Sequence, residues 1–125
     1  MSSPFLGLRT AVYAAPDLPA ARTWYAEVLG IAPYFDEPFY VGFNVGGFEL
    51  GLDPDAAPAQ PSVTGSSCYW GVTNAREAFA RLLALGATAE GAPHEVGGGI
   101  VVATVRDPFG NVLGIIENPH FPNQA

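Results

Sequence analysis

The sequence predicts an α+β fold in which the order strand, helix, group of strands occurs twice, giving a curved mixed sheet with its helices outside. Three observations predict it. Two Leu-Gly pairs, Leu29-Gly30 and Leu85-Gly86, end apolar stripes of helical spacing at corresponding places. Short alternating apolar runs follow the first pair and precede the chain's last turn. Between the two halves, the proline-broken stretch Asp53-Pro54-Asp55-Ala56-Ala57-Pro58-Ala59-Gln60-Pro61 divides the 125 residues into repeats of about 1–57 and 62–120.

A strand over Leu8 to Tyr13 opens the first repeat. Asp17 then suits an N-cap and Pro19 a first helical turn, and Ala21, Trp24, Tyr25, Val28 and Leu29 make the inward face of a helix reaching Leu29. Pro33 to Phe39 reads as a loop. Tyr40 to Val45 and Phe48 to Asp53 alternate on either side of Gly46-Gly47, a two-residue hairpin signal. Such a hairpin sets Val45 opposite Phe48 and Asn44 opposite Glu49, and opposed residues share a face. Val41, Phe43, Val45, Phe48, Leu50 and Leu52 thus form one face, which must cover a helix. Tyr40, Gly42, Asn44, Glu49, Gly51 and Asp53 form the other.

In the second repeat, Ser67 to Thr73 alternates again, with Cys68, Trp70 and Val72 on the apolar side and Ser67, Tyr69, Gly71 and Thr73 opposite. Asn74, with Glu77 three residues on, caps a helix whose stripe is Ala78, Phe79, Leu82, Leu83 and Leu85. Ala92 to Gly99 reads as a loop ending in a triple-glycine turn. Strands Ile100 to Arg106 and Val112 to Glu117 flank the turn Asp107-Pro108-Phe109-Gly110-Asn111. Each repeat buries one sheet face under its helix, so the polar, glycine-rich faces turn to the inside of the curve and make the candidate site.

Composition removes several function classes. Apolar residues make up 49% of the chain and charged ones only 14%, which argues for a packed core and against disorder. A net charge of −7 and the lack of a basic stripe argue against a nucleic-acid partner. No apolar run is long enough to span a membrane, and the first residues lack the pattern of an export signal, so a cytoplasmic protein is expected. The single cysteine, Cys68, allows no internal disulfide and is expected to be buried.

Familiar chemical constellations are weak. A thiol nucleophile is disfavoured because Cys68 alternates with Trp70 on the apolar side. His94 and His120 read as solvated loop residues, since nothing near them in sequence fixes a tautomer. Gly97-Gly98-Gly99 runs into a strand and not a helix, so it reads as a turn and not a phosphate cradle. Asp53 and Asp55 lack the further spaced oxygens of a cation loop. Phe109 and Phe121 suit a pocket wall or an interface equally.

The segments Asp17-Leu18, Trp24-Tyr25-Ala26-Glu27-Val28-Leu29-Gly30 and Asp107-Pro108-Phe109-Gly110-Asn111-Val112-Leu113-Gly114-Ile115-Ile116-Glu117 resemble the vicinal oxygen chelate superfamily, which includes glyoxalase I, extradiol dioxygenases and bleomycin- and fosfomycin-resistance proteins. The resemblance implies two βαβββ modules forming a cup, and often a homodimer. It also implies a divalent metal held by His, Gln or Glu at positions that here carry Thr10, Gly51, Ser67 and Gly114. Glycine offers no donor and neutral hydroxyls bind divalent ions weakly, so neither metal nor other cofactor is expected. The cup would instead be lined by Thr10, Val12, Tyr40, Asn44, Glu49, Gly51, Ser67, Tyr69, Thr73, Val112 and Gly114, with the glycines enlarging it. The expected function is metal-free binding of a small amphipathic or cationic organic molecule, with Glu49 as the charged contact. The alternatives are a metal-dependent lyase or dioxygenase, a metal-free isomerase with Glu49 as its catalytic group, and a purely structural or regulatory dimer.

Overall fold

Strand, helix and three strands follow one another in each half of the chain. The computed structural model describes residues 3–56 and 68–121, and the chain divides into units Met1–Ala56 and Ala57–Ala125. The first unit contains β1 (Thr10–Ala14), α1 (Leu18–Leu29), β2 (Phe35–Glu37), β3 (Tyr40–Val45) and β4 (Phe48–Asp53). The second contains β5 (Tyr69–Gly71), α2 (Ala75–Ala84), β6 (Thr88–Gly97), β7 (Ile100–Arg106) and β8 (Val112–Glu117). Strand orders are β1-β4-β3-β2 and β5-β8-β7-β6. In each sheet the opening strand runs parallel to the last strand and the remaining pairs are antiparallel. The fold is therefore α+β, built from two βαβββ modules of identical topology.

Local chemistry accounts for the first module. The Asp17 carboxylate accepts the Ala20 N–H at 3.2 Å, and Gly30 closes α1 at φ 71°, where a side chain would be strained. Leu18, Ala21 and Tyr25 are the buried residues of α1, which packs on β3 and β4. There it covers Val41, Phe43, Leu50 and Leu52, all buried as the hairpin alternation requires. Val45 pairs with Phe48 and Asn44 with Glu49 across Gly46 and Gly47, whose φ angles of 60° and 93° fit a type I′ turn.

In the second module, Asn74 accepts the Glu77 N–H at 3.0 Å, and the Glu117 carboxylate accepts the Ala75 N–H at 2.9 Å. The start of α2 thus has two acceptors for its otherwise unpaired amides. Ala75 and Leu82 are its buried residues, so the tightly packed stripe is narrower than the sequence predicts. It packs on β6, β7 and β8, where Val101, Ala103, Val105, Leu113 and Ile115 are buried. The turn before β8 closes on itself. Asp107 accepts the Phe109 and Asn111 N–H groups at 2.9 and 2.8 Å and the Asn111 side-chain amide at 2.8 Å, which satisfies two buried polar residues.

Four expectations need correction. β1 begins at Thr10, not Leu8. Pro33 to Phe39 contains β2, which is an edge strand with all three residues exposed and so carries no burial alternation. Ala92 to Gly99 lies largely in β6, another edge strand, whose register shifts around Gly91, His94 and Gly97 erase the period of two. His94 is exposed as expected, but on that strand. Cys68 is exposed and lies just outside β5, so alternation starting from Ser67 does not bury it.

Candidate functional site

The open face of the first module takes its shape from the strand register. Thr10 lies opposite Glu49, Val12 opposite Gly51, and Gly42 opposite Gly51 on the other side. These pairs share a face, and the two adjacent glycines leave a floor without side chains. Two tyrosines lie across it. A Cβ at Gly51 would stand 1.8 Å from the Tyr40 hydroxyl, and one at Gly42 would stand 3.3 Å from the Tyr34 ring and 2.6 Å from Glu49 Oε2.

Both tyrosines end on Glu49. The Tyr40 hydroxyl donates to Oε1 at 2.7 Å and lies 3.4 Å from Thr10 Oγ1, and the Tyr34 hydroxyl donates to Oε2. Burial pushes the Glu49 carboxyl up, but hydrogen bonds from Thr10, Tyr34 and Tyr40 outweigh it and hold the pKa below the ordinary glutamate value. The hydrogen bond to Glu49 raises the Tyr34 hydroxyl, and burial leads in raising that of Tyr40. The result is an ionised carboxylate held by two neutral phenols. Aromatic surface extends outward from the two tyrosines: Tyr34 is 64% exposed and Phe39 66%, and the Phe35 ring centroid lies 6.0 Å from that of Phe39 and 6.1 Å from that of Tyr40. An ionised carboxylate reached by two phenols, with exposed aromatic surface adjoining, is an environment that attracts a cation.

Of the expected site residues, the structure gathers Thr10, Tyr40, Glu49 and Gly51. Val12 is exposed on the same face beside Gly51. Asn44 faces Glu49 in register, but its side chain accepts the Gly47 N–H at 2.8 Å and braces the hairpin turn. On the second module, Tyr69 pairs with Gly114, and Val112 lies two residues along the same face of β8. Thr73 is exposed beyond the end of β5, and Ser67 falls outside the described residues. Tyr34 was missed because it precedes an edge strand; the signal for it was the Gly42–Gly51 pair, a cleft within reach of neighbouring aromatics.

The expectation that these glycines enlarge a pocket is also corrected. The Tyr40 hydroxyl fills the space above Gly51. At Gly114 a Cβ would meet the Cys68 carbonyl at 2.6 Å and the Tyr69 ring at 2.8 Å. At both positions the volume a ligating side chain would need is taken. Thr10, Gly51 and Gly114 therefore do not fit a divalent metal, and among the described residues no three His, Cys, Asp or Glu side chains come together. A separate depression of about 450 Å³, on the helix side, is lined by Leu18, Pro19, Val41 and the Arg22–Asp36 ion pair.

Comparison with known proteins agrees with this architecture. The profile of the Glyoxalase/Bleomycin resistance protein/Dioxygenase superfamily matches residues 7–115. Among solved structures, a glyoxalase-related enzyme from Fulvimarina pelagi is 25% identical, with a TM-score of 0.71 over 94% of this chain and 92% of its own. Lactoylglutathione lyase from Agrobacterium tumefaciens is 23% identical, with a TM-score of 0.70 over 95% and 100%. A bleomycin resistance determinant encoded on the transposon Tn5 is 23% identical, with a TM-score of 0.65 over 90% and 98%. No curated protein sequence matches. The sequence match over most of the chain and the twice-repeated βαβββ topology lead to one assignment: the chain belongs to the glyoxalase/bleomycin resistance protein/dioxygenase superfamily.

Proposed function

We propose that this protein binds a small organic cation on the open face of its first module, through Glu49 and without a divalent metal. The observation that carries this reading is the Glu49 carboxylate, fixed by the hydroxyls of Tyr34 and Tyr40, with the Tyr34 side chain largely exposed. A net charge of −7 draws cations toward it. The structural likeness to a bleomycin resistance determinant supports a binding role, whereas the likeness to lactoylglutathione lyase keeps a reaction within the family's range. The donor set argues against the metal-dependent version of that reaction. A carboxylate whose pKa lies below the ordinary value is a weak base, which argues against an isomerase that relies on Glu49. Neither nucleic acid nor membrane is a proposed partner: the chain is acidic, and no described helix is long and apolar enough to cross a bilayer. A cytoplasmic homodimer is the proposed state.

The test is calorimetric titration with 2-phenylethylamine, an aromatic amine. Saturable binding to one site per chain is expected, weakened about tenfold or more by Glu49→Gln, as for loss of a charge-assisted hydrogen bond. Binding that ignores this substitution would overturn the proposal, as would stoichiometric Zn, Ni, Mn or Fe in protein purified without chelator.

A further inference from the structure

The two phenols on Glu49 are not equivalent, and the difference bears on which cation can enter. Tyr40 is half-buried, its hydroxyl fills the space above Gly51, and it lies near Thr10 as well as Glu49. Moving it would empty the floor of the site. Tyr34 stands before β2 with 64% of its surface in water, anchored by its backbone N–H to the Gly42 carbonyl at 3.0 Å and by its hydroxyl to Glu49 Oε2. Swinging its side chain away uncovers little apolar surface and leaves the backbone anchor in place.

We infer that Tyr34 is a displaceable internal ligand of Glu49, and that the cation admitted in its place carries N–H groups. This deepens the proposed function and rests on it. Oε2 loses an O–H donor when Tyr34 leaves, and a cation without a donor of its own that sits over this oxygen keeps water from replacing it, which is costly. An ammonium or amidinium restores that donor with a charge-assisted bond, which is stronger than the one it replaces. A quaternary ammonium has no N–H to give, so it would displace Tyr34 at a net loss. The site therefore selects primary amines or amidines over their fully methylated counterparts, and the Tyr34 hydroxyl lowers the affinity for both by competing for Oε2.

Titration of the whole chain with 2-phenylethylamine and with its N,N,N-trimethyl derivative tests this. The amine should bind at least about fivefold more tightly than the trimethyl derivative, and Tyr34→Phe should tighten the amine about fivefold, the worth of one net hydrogen bond. Tyr40→Phe should give no such gain, because that hydroxyl positions Glu49. Equal affinity for the two cations, or a Tyr34→Phe variant that binds the amine no more tightly, overturns the inference. If binding still depends on Glu49 in those cases, the proposed function stands and only the role of Tyr34 falls; absence of any saturable binding overturns both.

Discussion

Glycine at position 51 is the condition for the Glu49 cluster, because only a residue without Cβ lets the Tyr40 hydroxyl cross β4. Ala at this site would put a methyl 1.8 Å from the end of a flexible side chain, whereas Ala at position 114 would meet a backbone carbonyl at 2.6 Å. A side chain swings away more easily than the backbone at the start of β5. Gly51→Ala should therefore cost about 1 kcal/mol, roughly the lost hydrogen bond, and Gly114→Ala about 1–3 kcal/mol of overpacking. Gly71→Ala, where nothing lies within 4 Å, serves as the control and should be near neutral. Urea denaturation of the three variants would show the ranking, and equal losses at positions 51 and 114 would mean that Tyr40 is not free to move. The pKa of Glu49 gives a second prediction. A carboxyl whose folded pKa is lowered adds stability that is present above its ordinary value of 4.5 and lost as the pH falls through the lowered value. The stability difference between the native chain and Glu49→Gln should thus be level at neutral pH and shrink below about pH 4.5. Tyr40, Glu49 and Gly51 were legible from alternation plus a two-residue turn, since those rules fix which face a side chain takes, whereas Thr10 came only with the superfamily resemblance. What they do not fix is reach. That Tyr40 lies diagonally over Gly51, filling the volume that glycine leaves, depends on a rotamer with no trace in the pattern.

Elements were legible where their own residues set their limits. Asp17 with Gly30, Asn74 with Gly86, and the Gly46-Gly47 turn each satisfy or redirect the backbone within a few residues, so the sequence states both helices and the hairpin outright. β2 and β6 fail this condition because an edge strand needs only one neighbour's backbone and is free to drop alternation, as β6 does at its register shifts. The same distinction appears at α2. Asn74 is a local cap, but Glu117 comes from β8 and reaches the Ala75 N–H from 42 residues away, a contact that only the folded module creates. Asn74→Ala should cost about 1 kcal/mol, and Glu117→Ala a similar amount or more because its bond is charge-assisted. Hydrogen exchange gives the element-level readout. Amides in the first turns of α2 should exchange faster in both variants while those of α1 stay unchanged, and protection lost equally in both helices would show that Glu117 acts on the whole chain and not on this helix end.

Two modules of one topology are the property of the whole molecule that the sequence expressed most clearly, because both halves carry the same order of strands and helix, an Asp or Asn helix cap and a closing Leu-Gly. Charge is the other. At −7, the chain attracts a cation and repels its own copy, so salt should act with opposite signs on the two proposed associations. Between 20 and 500 mM NaCl, affinity for 2-phenylethylamine should fall several-fold as the field around Glu49 is screened. Self-association should strengthen over the same range, since the segment before β1 leaves Phe5 86% and Leu6 79% exposed, and apolar contact gains when like-charge repulsion is screened. Sedimentation velocity of the native chain and of Leu6→Asp across the salt series would separate these effects. The native chain should shift toward dimer with added salt, and Leu6→Asp should remain monomeric while binding the amine as before. A dimer that survives Leu6→Asp would place the interface elsewhere, and amine binding that vanished along with the dimer would mean that the Glu49 site needs the second copy.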